Sequence, residues 1–259
     1  MPFETNVFIN CPFDPEFKKI LRPILFTIIY HGLKPRIATE RIDSGEARIS
    51  KIIQLIKESK YSIHDLSRVR STEVGEMFRL NMPYELGIDV GCREFGRGKL
   101  GEKKFLITAA EQFEYQKALS DIAGSDISVH NDDAQQTVRI VRQWIENQIG
   151  GEDGSQKIWT AYEDFNASIY DKMVESGFDE HEIENVHTAK LIKQMEDWIR
   201  VHKLKKALSD DLAKAARGSH SFTSGSLKIT IKPPVSTSLH SKAQEELNAR
   251  TRAATSSGK

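Results

Sequence analysis

The sequence predicts an α/β domain: a parallel sheet covered by helices on both faces. Short β-rich runs alternate with apolar patterns of helical period through the first 150 residues, with segments between them long enough to hold crossover helices. With 259 residues and 39% hydrophobic content the chain can bury a real core. Its length fits one large domain, or a medium domain with an appendage.

Residues 6–10 form the first strand. Asp14, Pro15 and Glu16 then supply a cap, a first-turn proline and a dipole-compatible acid for a helix. Phe17, Ile20, Leu21, Ile24, Leu25 and Ile28 give that helix its apolar face, and Pro23 predicts a kink in it. Residues 33–38 form a second strand, with Pro35 pointing to an edge position. Ile49, Ile52, Ile53 and Ile56 mark the next helix. Residues 61–66 are a third strand, 83–95 a helix, 104–108 a fourth strand and 126–129 a short fifth. Val138, Val141, Trp144, Ile145 and Ile149 mark the last helix of this unit, 1–150. A Gly-rich linker leads to a helical appendage over 155–217. Residues 218–259 read as a mostly disordered, flexible basic tail in which only 227–231 looks strand-like.

Whole-chain charge is zero, which implies no polyanionic partner, but the charge is unevenly spread. Residues 200–259 carry 12 Lys/Arg against four Asp/Glu, net +8, and the preceding residues carry net −8. A basic tail on an acidic body opens a minor route to nucleic acid, with a scaffold role as one functional reading. No apolar run reaches the length of a membrane span, and residues 1–5 lack a signal-peptide pattern. Two cysteines form no disulfide framework, so a cytoplasmic setting is expected. No metal site is expected either, since the histidines are scattered and no Cys pair has ligand spacing. Gly96, Gly98 and Gly101 spell G-x-G-x-x-G, but they follow a helix and precede a strand, the reverse of a dinucleotide-binding turn. His64, inside an apolar strand, reads as a hydrogen-bonded structural residue, and Cys11 as a small buried thiol.

In parallel sheets ligands bind beyond the carboxyl ends of the strands, and polar residues gather there. Asn10, Cys11, Pro12, Phe13 and Asp14 end the first strand, Glu40 follows the second, and Asp65 and Ser67 end the third. Asn81 and Tyr84 lie where a loop enters the helix that carries Glu85. A Glu in a first helical turn is expected to be held ionised by the helix dipole. An ionised carboxylate at a crevice suits an electron-poor anomeric carbon, because N-glycosidic cleavage passes through an oxocarbenium-like state.

The stretch Tyr61-Ser62-Ile63-His64-Asp65-Leu66-Ser67, a loop, and Met82-Pro83-Tyr84-Glu85-Leu86-Gly87 together resemble the nucleoside 2-deoxyribosyltransferase-like superfamily. There a strand ending in Asp leads to a helix whose Glu is the nucleophile. The related TIR-type NAD-cleaving domains share a flavodoxin-like fold and also use a helix-borne Glu. The opening Phe8-Ile9-Asn10-Cys11-Pro12-Phe13-Asp14 looks like a bacterial "CPFD" branch linked to antiphage defence. The resemblance spans about residues 6–150. It implies a flavodoxin-like sheet, Glu85 as nucleophile or oxocarbenium stabiliser, Asp65 shaping the sugar or base site, and residues 10–14 lining the pocket. Glu40, Ser67, Arg79, Asn81 and Tyr84 complete the expected substrate contacts.

One departure matters. The deoxyribosyltransferases carry an Asp six residues before the nucleophile, where this chain has Arg79. Without that acid, release of a neutral purine or pyrimidine is harder, whereas nicotinamide leaves a cationic NAD unaided, and Arg79 could hold a phosphate. The expectation is an N-glycosidase or transferase acting on a nucleotide or nucleoside, with NAD as a substrate rather than a cofactor. The alternative is a non-catalytic nucleotide-sensing module that signals to a partner protein; a homo-oligomer or a partner protein is compatible with either.

Overall fold

The computed structural model describes residues 3–40, 45–68, 80–113, 115–117, 119–122, 124–217, 221–224 and 227–230. Its centre is a five-stranded sheet of β1 (Asn6–Asn10), β2 (Lys34–Ile37), β3 (Tyr61–Asp65), β4 (Lys104–Ala109) and β5 (Ile127–Val129). All four pairings are parallel and the strand order is β2-β1-β3-β4-β5. This is the flavodoxin-like order of a doubly wound sheet. Pro35 sits on the edge strand, where its missing N–H costs no ladder bond to a second neighbour.

Four helices cover the sheet: α1 (Lys18–Tyr30), α2 (Arg48–Lys57), α3 (Asn81–Phe95) and α4 (Ala134–Ile149). The two-residue period of a strand decides which side chains meet which helices. Val7 and Ile9 of β1 join the core built with α1 and α4, while Phe8 between them packs with Ile52, Leu55 and Ile56 of α2. Helix α1 runs through Pro23 as one assigned helix, and Thr27 Oγ1 donates to the Pro23 carbonyl at 2.7 Å.

The break expected near 150 is present in the chain, since residues 150–154 form no helix and Gly150 takes φ 78°. It is not a break in the core. Helix α5 (Ser155–Glu175) and the start of α7 (Thr188–Arg217) pack on α1: Phe26 lies 5.4 Å from Tyr162, 5.6 Å from Phe165 and 6.0 Å from Trp198 between ring centroids. Residues Met1–Val201 form one compact unit and His202–Lys259 a second. Between α5 and α7 the short α6 (Glu180–Glu184) opens on a capping box from Asp179 and Glu182. In the second unit β6 (Ser221–Ser224) and β7 (Leu227–Thr230) pair antiparallel, and the rest of the expected tail lies outside the described residues. Among the described residues no helix is long and apolar enough to cross a membrane.

The G-x-G-x-x-G run occupies the connection from α3 into β4, partly as a 3₁₀ turn (Gly98–Glu102), at the amino end of the sheet. The phosphate-binding fingerprint needs the opposite arrangement, a strand feeding a helix.

Candidate functional site

Asn10 ties two of the site's elements together. Its side-chain amide donates to the Met82 carbonyl at 2.8 Å and meets His64 Nδ1 at 3.0 Å. A carbonyl only accepts, so the amide nitrogen faces Met82, and His64 Nδ1 must accept its second hydrogen. His64 Nε2 then carries the proton and donates to Asp89 Oδ2 at 3.1 Å. The carboxyl end of β1 is thereby clamped to the first turn of α3.

Asp89 belongs to a closed interior cluster. Ser62 Oγ donates to Oδ2 at 2.5 Å, and Lys103 Nζ lies 3.1 Å from Oδ1. Lys103 is itself fully buried, and it donates to the carbonyls of Ile56 and Ser59 at and just past the end of α2. Burial pushes the Asp89 carboxyl up, but His64, Lys103 and Ser62 outweigh it and leave the group below its usual range. His64 is thus the hydrogen-bonded structural residue that its apolar strand predicts.

Asp65 is a second closed cluster, at the carboxyl end of β3. Its Oδ1 accepts the Ser67 N–H at 3.0 Å, and its Oδ2 accepts Thr108 Oγ1 at 2.7 Å and His130 Nε2 at 3.0 Å. The backbone N–H of Asp132 donates to His130 Nδ1 at 3.1 Å, so the ring proton sits on Nε2. That geometry comes from a two-residue turn. Asn131 and Asp132 have φ of 54° and 52°, and the Asp133 N–H closes onto the His130 carbonyl at 2.9 Å. Asn and Asp tolerate the left-handed region better than other side chains. Ser67 Oγ also lies 3.0 Å from His130 Nε2. Serine and aspartate therefore share one ring nitrogen, which is not the arrangement of a Ser-His-Asp triad, where they occupy opposite nitrogens. Asp65 and Ser67 are both held within the fold, through Thr108 and His130.

A cleft of about 640 Å³ opens at the carboxyl end of β1. Its walls are the turn at 11–15, residues 80–82 at the start of α3, and Arg48 at the start of α2. Of the expected site residues, Cys11, Pro12, Phe13, Asp14 and Asn81 line it. Phe13 is 40% exposed, with the Arg48 guanidinium 5.7 Å from its ring centroid. Asp14 caps the turn into α1 through the Phe17 N–H at 3.0 Å and lies 3.5 Å from Arg68. Tyr84 is exposed but is not among the cleft's lining residues. Glu40 is not among them either, being held by Arg36 at 3.0 Å and by the Ile37 N–H at 3.2 Å. Arg79 lies outside the described residues.

Glu85 is one turn beyond Asn81 on α3 and only 6% exposed. The helix begins at Asn81, so Glu85 falls in the second turn, past most of the dipole's reach. The expectation that the dipole holds it ionised is overturned: burial raises the carboxyl from 4.5 to about 7, and Arg48, 3.8 Å away, only partly opposes this. Glu85, Asp65 and Asp14 converge electrostatically on Cys11. Burial comes first, then Asp65, Glu85 and Asp14, in raising that thiol well above its ordinary value. Cys11 is therefore a buried, protonated thiol in the cleft wall.

Three contributors to this end of the sheet were missed from sequence: Arg48, Arg68 and His130. The rule that named Asp65 at the end of β3 would also have named His130, the residue after β5. Among the described residues no group of three or more His, Cys, Asp or Glu could hold a metal ion. No family profile, curated protein or solved structure matches the chain.

Proposed function

We propose that the cleft binds a nucleotide or nucleoside and that Glu85 acts on its N-glycosidic bond, with NAD the favoured substrate. The observation that carries this reading is a carboxyl buried to 6% exposure, shifted to about 7, with the cleft-lining Arg48 3.8 Å away. Desolvated groups with strongly shifted pKa values at the carboxyl edge of a parallel sheet are where chemistry concentrates.

In this reading the ionised Glu85 adds to the anomeric carbon as the C–N bond breaks. The bonding pair returns to the ring nitrogen, which neutralises a pyridinium leaving group, so no general acid is required. Water then opens the glycosyl ester, releasing the sugar hydroxyl and a proton and restoring the carboxylate. Arg48 favours the ionised form, and the exposed Phe13 ring offers a face for a planar base. Asp65 and Asn10 act as positioning residues, through the sheet edge and the start of α3.

The test is incubation with NAD and with purine deoxynucleosides, following base release by chromatography. Release by the native chain and none by Glu85→Gln is expected, with kcat/KM rising through about pH 7 as Glu85 ionises. Equal release by the variant would remove the reading. One observation favours a binding-only module instead: neither Glu85 nor Asp65 is among the lining residues of the cleft. Nucleotide-induced thermal stabilisation with no product would identify that module.

A further inference from the structure

Two surfaces play no part in this site, and each is incomplete. The first lies between α3 and β4. A doubly wound sheet normally covers each crossover with a helix, but between β4 and β5 the described residues form only two three-residue 3₁₀ turns, Tyr115–Lys117 and Ser120–Ile122. A groove of about 450 Å³ is left there. Leu86, Val90 and Arg93, spaced four and three apart, form its α3 wall, and Phe105 and Ile107, alternate residues of β4, its floor. The opposite wall comes from the β4–β5 connection and carries Asp121 and Asp126. The groove is thus apolar at its base, cationic on one side and anionic on the other.

The second surface is on the distal half of α7. Leu204, Leu208 and Leu212 are 65%, 63% and 63% exposed and recur every four residues, so they form one stripe. At about 100° per residue, Lys205 and Asp211 fall about 60° to either side of Leu208. The stripe is apolar along its crest, cationic on one flank and anionic on the other. One of the two directions in which such a helix can lie in the groove sets Lys205 against Asp121 and Asp126, and Asp211 against Arg93.

We propose that these surfaces bind each other between copies, the distal α7 stripe of one chain filling the α3–β4 groove of the next. The contact is heterologous, so every added chain leaves one groove and one stripe open, and assembly continues as a ring or a filament. Three leucines per contact make it weak and concentration-dependent.

Light scattering on the full chain over a concentration series tests this. The native chain grows in mass beyond a dimer, and Leu208→Asp and Val90→Arg each abolish growth with an unchanged circular dichroism spectrum. Mixed in equal amounts, those two variants regain one intact interface and form a heterodimer that stops at two chains. Because Val90 is partly buried, exposed-site changes provide a second arm: Asp121→Lys with Asp126→Lys weakens association about two- to fivefold, and Lys205→Glu on the other chain restores it. A native chain that stays monomeric, an associating Val90→Arg variant with intact fold (stripes pairing with each other), or a mixture that does not dimerise would overturn the proposal.

Discussion

Asp89 and Glu85 stand one turn apart on α3, both nearly cut off from water, and behave as opposites. Asp89 has three charged or polar side chains on its two oxygens and sits below its usual range. Among the described residues Glu85 has one cation at 3.8 Å, and it sits near 7. Burial acts on both; the number of donors decides the outcome. A buried carboxylate held by two hydrogen-bond donors and a cation is part of the frame, because any ligand would have to displace a partner already in place. An under-satisfied one holds free energy that a ligand or a proton can release. The same helix thus carries one buried acid held by several donors and one governed by desolvation beside Arg48.

The largest expected effect comes from breaking the satisfied side. Lys103→Met leaves Asp89 ionised without its cation and removes the Lys103 donor from the Ile56 and Ser59 carbonyls, which should cost about 3–5 kcal/mol in urea or thermal unfolding. A loss below about 1 kcal/mol would mean that Asp89 does not depend on Lys103 and that the contrast is overstated.

Next is Glu85→Gln. A carboxyl raised from 4.5 to about 7 stabilises the fold fully only while protonated. The native chain should therefore lose stability as pH rises from 4.5 to about 7 and level off above, by up to about 3 kcal/mol. The glutamine variant lacks that fall, so it should be the more stable protein at pH 8 and show no advantage at pH 4. Parallel stability curves for the two proteins would place Glu85 in water.

The strands and helices of the sheet were legible because their signals are local. The alternation in β1, the Asp14 cap and Pro35 on an edge strand are each decided by neighbours in sequence. The place of the cleft was legible, since Cys11, Pro12, Phe13, Asp14 and Asn81 line it, but the electrostatics around it were not. Asp65 is identifiable as a strand-end acid, but its partners Thr108 of β4 and His130, just past β5, lie 43 and 65 residues later, so nothing near it in sequence says how it is held. Glu85 was misjudged because a few residues of helix start decide between a dipole-stabilised and a desolvated carboxylate. Lys103, in a Gly/Lys-rich loop, reads as solvated. Only the meeting of α2, α3 and β4 reveals that it is buried.

A smaller effect is expected at the other saturated acid. Asp65→Asn replaces an acceptor-only group by one whose NH₂ must face the Ser67 N–H, or Thr108 and His130. Thr108 can rotate, but His130 cannot switch tautomer without opposing the Asp132 N–H. A loss of about 1–3 kcal/mol is expected, and a neutral result would mean that the cluster rearranges freely.

The smallest effect falls on Arg48, the cation beside Glu85. Arg48 is 56% exposed, so Arg48→Gln should cost under about 1 kcal/mol of stability. Its consequence lies in the titration, since the guanidinium pulls the Glu85 carboxyl back down. Its removal should move the Glu85 titration to higher pH by less than about one unit, read by isotope-edited infrared of the carboxyl or as a shift of the acid limb of base release. An unmoved titration would show that water in the cleft already screens the pair. Among the described residues Glu85 would then have no effective cation, and the contrast with Asp89 would be sharper than the contact distance alone suggests.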